Sequence, residues 1–242
     1  MEQDFRLPII KERLSSVKLV LPVASPKGGV GKTTVSSALA VLLARKGIPT
    51  GIFDLDFTNP TTHIMLGVDA ASLLPEEEKG ILPVGVEPNL EFLSPAFYSK
   101  DKPLPLRGQS VVEALREILA ITRWSSRVLV VDTPPGLSDA MLEFLRLHRN
   151  AKVLVVTTCD RLSLVSTKRM FDYLRQERVG FVGVVANMCG SCREITEALG
   201  VEPLACLPFQ ERLHESMGDR DRLVEVVGRD LEKVLEAVRL LI

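Results

Sequence analysis

The sequence predicts an α/β protein: a doubly wound, mostly parallel sheet flanked by helices. Short apolar runs alternate with amphipathic, helix-like stretches along nearly all 242 residues. Several runs, such as VLVV and FVGVV, are continuous stretches of aliphatic residues, as is usual for central parallel strands covered on both faces. Repeated strand–helix alternation of this kind indicates a parallel sheet with helical crossovers. No domain boundary is visible, so we expect a single domain over residues 1–242.

The strand-like and helix-like segments follow one another in a regular order. The predicted strands are Leu19–Ala24, Thr50–Phe53, Leu90–Leu93, Val128–Val131, Val153–Thr157, Val182–Ala186 and Pro203–Leu207. The predicted helices, in which apolar residues recur every three or four positions, are Lys32–Arg45, Ser110–Ile121, Ser138–Leu147, Leu164–Gln176, Arg193–Leu199 and Leu231–Leu241. Two segments rich in Pro, Gly and charge, Ser72–Asn89 and Tyr98–Gln109, are predicted to be surface excursions. Ligands of such sheets bind at the carboxyl ends of strands, so functional residues should follow strands.

Composition and charge exclude several classes of protein. Hydrophobic residues make up 46% of the chain and charged residues 25%, as in an ordinary globular protein with a sizeable core. A net charge of −1 argues against a broad nucleic-acid-binding face. No segment approaches the roughly 20 apolar residues that span a bilayer, and MEQDFRLPIIKERL lacks the apolar run of a signal peptide. We therefore expect a cytoplasmic protein with no nucleic-acid partner and no stable membrane insertion.

The most informative stretch is ASPKGGVGKTT, residues 24–34. It nearly fits the phosphate-binding pattern G-x-x-x-x-G-K-[ST], with Pro26 in place of the first glycine. Glycines allow backbone N–H groups to crowd around phosphate oxygens, and the following helix N-terminus adds positive potential. Lys32 would reach the β- and γ-phosphates, and the Thr33 hydroxyl would ligate Mg²⁺. The residues predicted to bind the nucleotide here are Gly28, Gly29, Val30, Gly31, Lys32, Thr33 and Thr34.

The sequence KGGVGKTT resembles the deviant Walker motif of the Mrp/MinD group of P-loop ATPases, in which the first position of the pattern is variable. The group's early lysine corresponds to Lys27, and in relatives it reaches across a homodimer interface to phosphates bound by the other subunit. The resemblance therefore implies a P-loop ATPase that dimerises with ATP and hydrolyses it slowly, with Lys27 and Lys32 as catalytic residues. A cation supplied in trans would stabilise the charge that develops during phosphoryl transfer.

Aspartates follow two further strands. Asp54 and Asp56 lie two positions apart after the second strand and so point the same way. The resemblance implies that Asp56 positions the attacking water and that Asp54 supports it or the metal shell, although aspartates at strand ends also serve as simple caps. The segment Val128–Asp132 has the form of a Walker B strand, whose Asp132 would hold Mg²⁺. Gly136 would let a backbone N–H group approach the γ-phosphate in a switch loop.

The resemblance also implies an adenine site near the last strands. Asn187 follows the strand FVGVVA and resembles the asparagine that reads the base in these ATPases. Pro208 and Phe209 resemble the loop that closes over the ring. An amide can pair with the N6/N7 edge of adenine, and an apolar loop can cover it. By itself, an asparagine after a strand is more often a turn residue.

A second motif concerns metal chemistry. Cys189 and Cys192 form a C-x-x-C pair, which supplies two thiolates, so two facing chains would supply the four of a tetrahedral site or cluster. Mrp-type carriers hold a bridging [4Fe–4S] cluster in this way, although their spacer after the asparagine is usually longer. A nickel or zinc site, a redox dithiol and two incidental cysteines are the alternatives. Four cysteines in a cytoplasmic chain indicate thiols or metal ligands before disulfides, and Cys159 and Cys206 are expected to be small buried residues.

The overall pattern resembles more closely another branch, the archaeal ATPase-type HypB proteins, which assist nickel insertion into [NiFe] hydrogenase as nucleotide-dependent partners of a nickel chaperone. The matching segments include residues 12–66, Pro103–Gly108 and Ile121–Trp124. Both resemblances imply metallocofactor assembly, with a client protein or metallochaperone as partner. His63 and His148 could be ligands, but single histidines that are not grouped with other ligand residues in the sequence are usually structural or exposed.

Other classes of P-loop protein are also possible. A MinD-like ATPase acting on a membrane would need a basic amphipathic C-terminal helix. Asp221–Ile242 instead contains four basic and five acidic residues and is expected to face the core. A ParA-like ATPase acting on DNA would need a basic surface, which the neutral composition does not favour. A small-molecule kinase could use the same loop but has no need for Lys27.

Overall fold

The chain forms a mostly parallel sheet with helices on both faces. The computed structural model describes residues 4–100, 102 and 104–242. In these residues the strands are β1 (Leu19–Ala24), β2 (Thr50–Asp54), β3 (Glu76–Glu77), β4 (Ile81–Leu82), β5 (Val84–Glu87), β6 (Leu90–Leu93), β7 (Val128–Asp132), β8 (Lys152–Thr157), β9 (Gly180–Ala186) and β10 (Ala205–Cys206). Within the described chain the main sheet has the order β10-β9-β8-β1-β7-β2-β6-β5, in which β5 is antiparallel to β6 and the other neighbours are parallel. The predicted fold class is confirmed.

The helices divide between the two faces of this sheet. They are α1 (Arg6–Arg13), α2 (Lys32–Arg45), α3 (Thr62–Leu66), α4 (Ala96–Ser99), α5 (Gln109–Ile121), α6 (Asp139–Leu147), α7 (Arg161–Gln176), α8 (Arg193–Leu199), α9 (Arg220–Val227) and α10 (Glu232–Arg239), with 3₁₀ helices at Glu211–Ser216 and Arg229–Leu231. The connection through α2 runs along the sheet in one direction, and those through α5, α6, α7 and α8 run in the other. Because such crossovers are right-handed, the two sets lie on opposite faces. Helices α9 and α10 pack against α2, and α1 packs against α5.

Parallel register brings the ends of the central strands together. Asp54 at the end of β2 lies opposite Asp132 at the end of β7. On the other side of β7, Asp132 lies opposite Val23 of β1, and the glycine-rich loop follows β1 directly. Strand β7 is buried along its whole length, and β1 is buried at every residue but Val20, because helices cover both faces of the sheet. The residues that the sequence predicted after separate strands therefore meet at one edge of the sheet.

Most predicted segments agree with the structure, and α2 and α8 have the predicted bounds. The prediction that Ser72–Asn89 is only a surface excursion is wrong, because this segment contains the β3–β4 hairpin and the edge strand β5. The residues of β5, VGVE, are partly exposed and include Gly and Glu, so they lack the apolar run of a buried strand. Within Tyr98–Gln109, residues 104–107 have no helix or strand, while Pro103 lies outside the described residues.

The C-terminal helix faces the core. Helix α10 buries Val234, Leu235 and Val238, in agreement with the apolar stripe in its sequence. Among the residues that the structure describes, no helix has the length and apolar character needed to cross a membrane.

Candidate functional site

The glycine-rich loop connects β1 to α2 at the carboxyl edge of the sheet. Gly29 and Gly31 have φ angles of 76° and 82°, in the left-handed region that favours glycine. A Cβ atom at Gly31 would lie 2.1 Å from Nδ2 of Asn187, so a larger residue would displace that side chain. Helix α2 begins immediately afterwards at Lys32, and its first N–H groups lack partners within the helix. This arrangement is suited to binding an anion.

The loop residues differ in exposure. Gly28 and Gly29 are exposed, whereas Val30 and Thr34 are buried. Lys32 and Thr33 lie between these extremes, at the first turn of α2. The exposed glycines leave their backbone accessible to a phosphate, and the buried residues anchor both ends of the loop in the fold.

Asp132, the last residue of β7, is the central acceptor of the site. Its carboxylate accepts hydrogen bonds from Lys32 Nζ at 2.7 Å, Thr33 Oγ1 at 2.7 Å and Ser36 Oγ at 2.9 Å. Thr62 Oγ1, from the first position of α3, donates to the same carboxylate at 3.1 Å. The Asp132 side chain is 2% exposed, so one cation and three hydroxyl groups compensate a buried charge.

The same oxygen atoms suit Mg²⁺. This ion prefers hard oxygen ligands and keeps part of its water shell, so few protein ligands are needed. Thr33 Oγ1 and Asp132 Oδ2 are 2.7 Å apart, which places a hydroxyl and a carboxylate oxygen side by side. The residues present therefore fit the predicted metal site, with Thr33 and Asp132 as its protein ligands.

Asp54 lies directly beside this centre and is fully buried. Burial raises its pKa to about 7, and the nearby charge of Asp132 acts in the same direction. The backbone N–H groups of Thr62 and Asp56 each donate to Asp54 at 3.1 Å, which opposes part of this rise. Asp54 therefore ties the loop after β2 to the start of α3, and its role in supporting Asp56 or the metal shell remains a prediction.

Asp56 organises the loop that follows β2. Its Oδ1 atom accepts hydrogen bonds from the N–H groups of Thr58 and Asn59 at 3.2 and 3.0 Å and from the Thr58 hydroxyl at 2.8 Å. The side chain is partly exposed, at the same edge as the glycine-rich loop. The carboxylate is thus held in a defined orientation by a local turn. Its role in positioning water remains a prediction.

Lys27 is engaged within its own chain. Its Nζ lies 3.0 Å from Oδ2 of Asp160, and the two side chains are 43% and 48% exposed. Asp160 caps α7, and the Ser163 hydroxyl, followed by that of Thr158, holds the pKa of Asp160 well below its usual range. An ion pair at this exposure contributes less than about 1 kcal/mol, so Lys27 can leave it at little cost.

Gly136 closes the loop after β7. Its φ angle is 72°, and its N–H group donates to the carbonyl of Ser25 at 2.8 Å. This bond joins the loop to the start of the glycine-rich segment, so the two loops are coupled. The predicted contact between Gly136 and a γ-phosphate would require this N–H group to turn away from Ser25.

The predicted adenine site lies beside the glycine-rich loop. Asn187 is 6% exposed and donates from Nδ2 to the Val30 carbonyl at 2.8 Å. Its amide also provides an oxygen, the acceptor that the amino group of adenine needs. Pro208 and Phe209 are exposed and follow Leu207, whose N–H group donates to the Ala186 carbonyl at the end of β9. Asn187 therefore contacts the glycine-rich loop, while the roles of Asn187, Pro208 and Phe209 in binding adenine remain predictions.

The four cysteines are paired. Disulfides join Cys159 to Cys189 and Cys192 to Cys206, with Cα–Cα distances of 5.6 and 6.0 Å. The expectations that thiols take precedence over disulfides, and that Cys159 and Cys206 are merely small buried residues, are therefore wrong. The physical reason is the strand order, since β9 lies between β8 and β10 and both neighbours end beside the C-x-x-C loop. Among the described residues, no group of three or more His, Cys, Asp or Glu side chains is placed so that it could hold a metal ion. A metal at Cys189 and Cys192 stays a prediction.

Sequence reasoning missed several residues of the site. Ser36 lies one helical turn after Thr33, so its hydroxyl group at that spacing was the available signal. Thr62, at the start of α3, and Asp160, at the N-terminus of α7, reach the site from segments distant in the sequence, and no local pattern marks them.

Comparison with known proteins shows the family to which the chain is related. A family model described as ParA, NUBPL iron-transfer P-loop NTPase, matches residues 16–200. An iron–sulfur cluster carrier protein of Pseudomonas fragi is 33% identical over 222 residues, which cover 84% of this chain and 77% of that protein. A cytosolic Fe–S cluster assembly factor NUBP2 homologue of Monosiga brevicollis is 32% identical over 197 residues, covering 77% and 69% respectively.

Solved structures show the same fold. A nucleotide-binding protein of Archaeoglobus fulgidus in complex with ADP has a TM-score of 0.73 and 26% identity, over 90% of this chain and 93% of that chain. The cell division ATPase MinD of Pyrococcus furiosus has a TM-score of 0.72 over 93% and 100% of the two chains. Its identity is 21%, so this likeness concerns the fold alone.

Proposed function

The chain belongs to the ParA family of NUBPL-type iron-transfer P-loop NTPases, and we propose that it is an ATP-dependent carrier of iron–sulfur clusters. The observation that carries this proposal is the convergence of Lys32 and Thr33 on the buried Asp132. Two observations support an iron–sulfur cluster as the cargo. The C-x-x-C pair follows Asn187, at the proposed adenine site, and similar proteins are named as iron–sulfur cluster carriers. The proposed partners are a second copy of the chain and a client apoprotein, and the proposed location is the cytoplasm.

Hydrolysis would use the residues at the edge of the sheet. Thr33 and Asp132 would hold Mg²⁺, which would neutralise charge on the β- and γ-phosphates. Lys32 exchanges its bond to Asp132 for the phosphate oxygens, which it can reach from the first turn of α2. Asp56, held by its own turn, orients a water molecule for in-line attack on the γ-phosphorus. The bond to the leaving ADP breaks as the bond to water forms, so the products are ADP and phosphate.

Lys27 would complete the site of a second copy. The Nζ group is near the surface and is held by a weak ion pair that can break. When two copies face each other around their nucleotides, this amine can contact the phosphates of the opposite chain. It would then stabilise charge that exists fully only in the transition state.

Nucleotide state would reach the cysteines by a short path. Asn187 contacts the glycine-rich loop through Val30, and Cys189 is two residues further along the chain. The N–H group of Cys189 donates to the carbonyl of Leu207, just before Pro208. A movement of the glycine-rich loop or of the segment at Pro208 and Phe209 would therefore shift the C-x-x-C segment. That shift would alter the affinity for a cluster bridging two chains.

Anaerobic reconstitution tests this proposal. We expect the wild type, after reconstitution with iron and sulfide, to carry one [4Fe–4S] cluster per dimer, to transfer it to an apoprotein, and to hydrolyse ATP in the presence of Mg²⁺. The double variant C189S/C192S should lose the cluster and retain hydrolysis, while Lys32→Ala should lose hydrolysis. If the reconstituted protein holds no iron, or binds nickel in preference, the iron–sulfur proposal is wrong.

The alternative function is that of a positioning ATPase of the MinD or ParA type, with which the chain shares its fold. Flotation with anionic liposomes and retention on DNA test it. Binding of either kind that depends on ATP would contradict the carrier proposal, whereas we expect neither.

A further inference from the structure

The four cysteines of the chain lie at the carboxyl ends of three neighbouring strands. Cys159 follows β8 by two residues, Cys189 and Cys192 follow β9, and Cys206 ends β10. Because β9 is flanked by the other two strands, its C-x-x-C loop has one cysteine on each side of it. Cα–Cα distances of 5.6 and 6.0 Å fall within the range of disulfides, so the backbone already has the geometry for both bonds.

The pairing pattern determines what the C-x-x-C motif can bind. Cys189 is bonded to Cys159 and Cys192 to Cys206, so the two motif cysteines are not bonded to each other. A soft metal or a cluster needs deprotonated thiols as ligands. In the disulfide form both sulfur atoms of the motif are occupied, whereas reduction of both bonds would release four thiols in one place.

We propose that Cys159 and Cys206 are redox partners that close and open the C-x-x-C metal site: oxidation bonds them to the motif cysteines, and reduction returns the motif to metal binding. The choice of an iron–sulfur cluster as natural cargo rests on the proposed function, but the switch itself concerns any thiophilic metal. Since a cytoplasm keeps most thiols reduced, the open form would be the working form there.

Each step is an ordinary thiol–disulfide exchange. A low-molecular-weight disulfide reacts with one cysteine pair, whose two thiols lose two protons and two electrons and form one S–S bond. The S–S bond of the reagent breaks, and two reagent thiols leave with those protons and electrons. Closing both pairs consumes two reagent molecules, and a dithiol reductant reverses both reactions. Cys159, Cys192 and Cys206 are partly exposed and can start the exchange, whereas Cys189 is 3% exposed and would react second.

The surroundings of the cysteines favour these pairs. All four sulfur-bearing residues pack in or against one apolar cluster, which also contains Val184 and Ile195. On the β8 side the Asn187 N–H group donates to the Thr157 carbonyl at 2.8 Å, which fixes the C-x-x-C loop beside Cys159. On the β10 side the Cys189 N–H group donates to the carbonyl of Leu207 at 3.0 Å. These bonds do not involve sulfur, so they can hold the partners in register in both redox states.

Peptide mapping and Co²⁺ binding together test the switch on the full-length chain. After oxidation with glutathione disulfide, we expect all four cysteines to resist alkylation and the map to contain the pairs Cys159–Cys189 and Cys192–Cys206. The reduced wild type should bind Co²⁺ with thiolate-to-metal charge-transfer absorption, and the oxidised form should lose it. A map dominated by a Cys189–Cys192 bond, equal Co²⁺ binding in both states, or no Co²⁺ binding by the reduced protein would each overturn the proposal.

A matched variant separates the switch from the cargo. The double variant C159S/C206S keeps the motif and removes both partners, so it should bind Co²⁺ when reduced and form neither strand-end disulfide when oxidised. Binding of a fluorescent ATP analogue shows whether this variant is folded. If it is not folded, the disulfide peptide map of the wild type still tests which cysteines pair. If Co²⁺ binding follows the redox state while no iron–sulfur cluster can be reconstituted, the switch stands and the proposed cargo fails.

Discussion

Replacing Thr62 with Val tests whether this hydroxyl positions Asp132, the proposed magnesium ligand. Thr62 is fully buried, its Oγ1 atom donates to Asp132 at 3.1 Å, and its N–H group donates to Asp54 at 3.1 Å. Valine has nearly the same shape, so the substitution leaves the backbone bond and the packing in place. It removes one donor from a buried carboxylate and nothing else.

The structure sets the size of the expected effect. A hydrogen bond to a charged group is worth about 1.5–3 kcal/mol. Asp132 keeps Lys32, Thr33 and Ser36 as donors, so the loss should lie near the lower end of this range. About 1.4 kcal/mol corresponds to a factor of ten in an equilibrium constant, so we expect the Mg²⁺ concentration for half-maximal ATP hydrolysis to rise about tenfold.

The assay is a Mg²⁺ titration of ATP hydrolysis, accompanied by urea unfolding without metal. Thr62→Ser should restore the wild-type Mg²⁺ dependence because it keeps the hydroxyl. Thr167→Val is the matched control, since Thr167 is also fully buried and donates to the Ser163 carbonyl at 2.8 Å in α7. If both valine variants lower stability alike and neither changes the Mg²⁺ dependence, Thr62 has only a structural role and the reasoning is refuted.

Three further predictions concern other parts of the site. Gly31→Ala should destabilise the apoprotein by about 1–3 kcal/mol in urea unfolding, because its Cβ would collide with Asn187 at a positive φ angle, whereas Gly28→Ala, which has open space, should not. Asp54 holds its proton in the folded state up to a pKa of about 7 but loses it near 3.8 when unfolded, so it destabilises the metal-free fold as pH rises from about 4 to 7. Unfolding free energies across that range should therefore fall less steeply for Asp54→Asn, and an unchanged slope would contradict the assignment. Lys27→Ala should abolish hydrolysis while changing the unfolding free energy by less than about 1 kcal/mol, and unchanged turnover would refute its action in trans.

Local motifs accounted for the parts of the site that lie within one continuous segment. The residue types in the glycine-rich loop match its backbone conformation: Gly31 has a positive φ angle, which glycine adopts readily, and the residues after it start a helix. The apolar strand before Asp132 likewise places that carboxylate at the edge of the sheet. Because such patterns depend only on residues that are neighbours in the sequence, they could be predicted from the sequence alone.

The partners of these motifs could not be predicted in the same way. Thr62 lies 70 residues before Asp132, and Asp160 lies 133 residues after Lys27, yet each pair is in hydrogen-bond contact. The edge strand β5 was also missed, because its polar residues pair with β6 through their backbone, which carries no side-chain signature.

The cysteines show most clearly which conclusions follow from the sequence and which need the tertiary structure. The sequence by itself determined an α/β nucleotide-binding fold, the phosphate loop and a C-x-x-C pair whose role it left open. Only the tertiary structure decided that Cys189 and Cys192 each have a partner, at separations of 30 and 14 residues. The reason is physical: strand order follows from burying the whole sheet between its helices, and that order brings β8 and β10 to either side of β9.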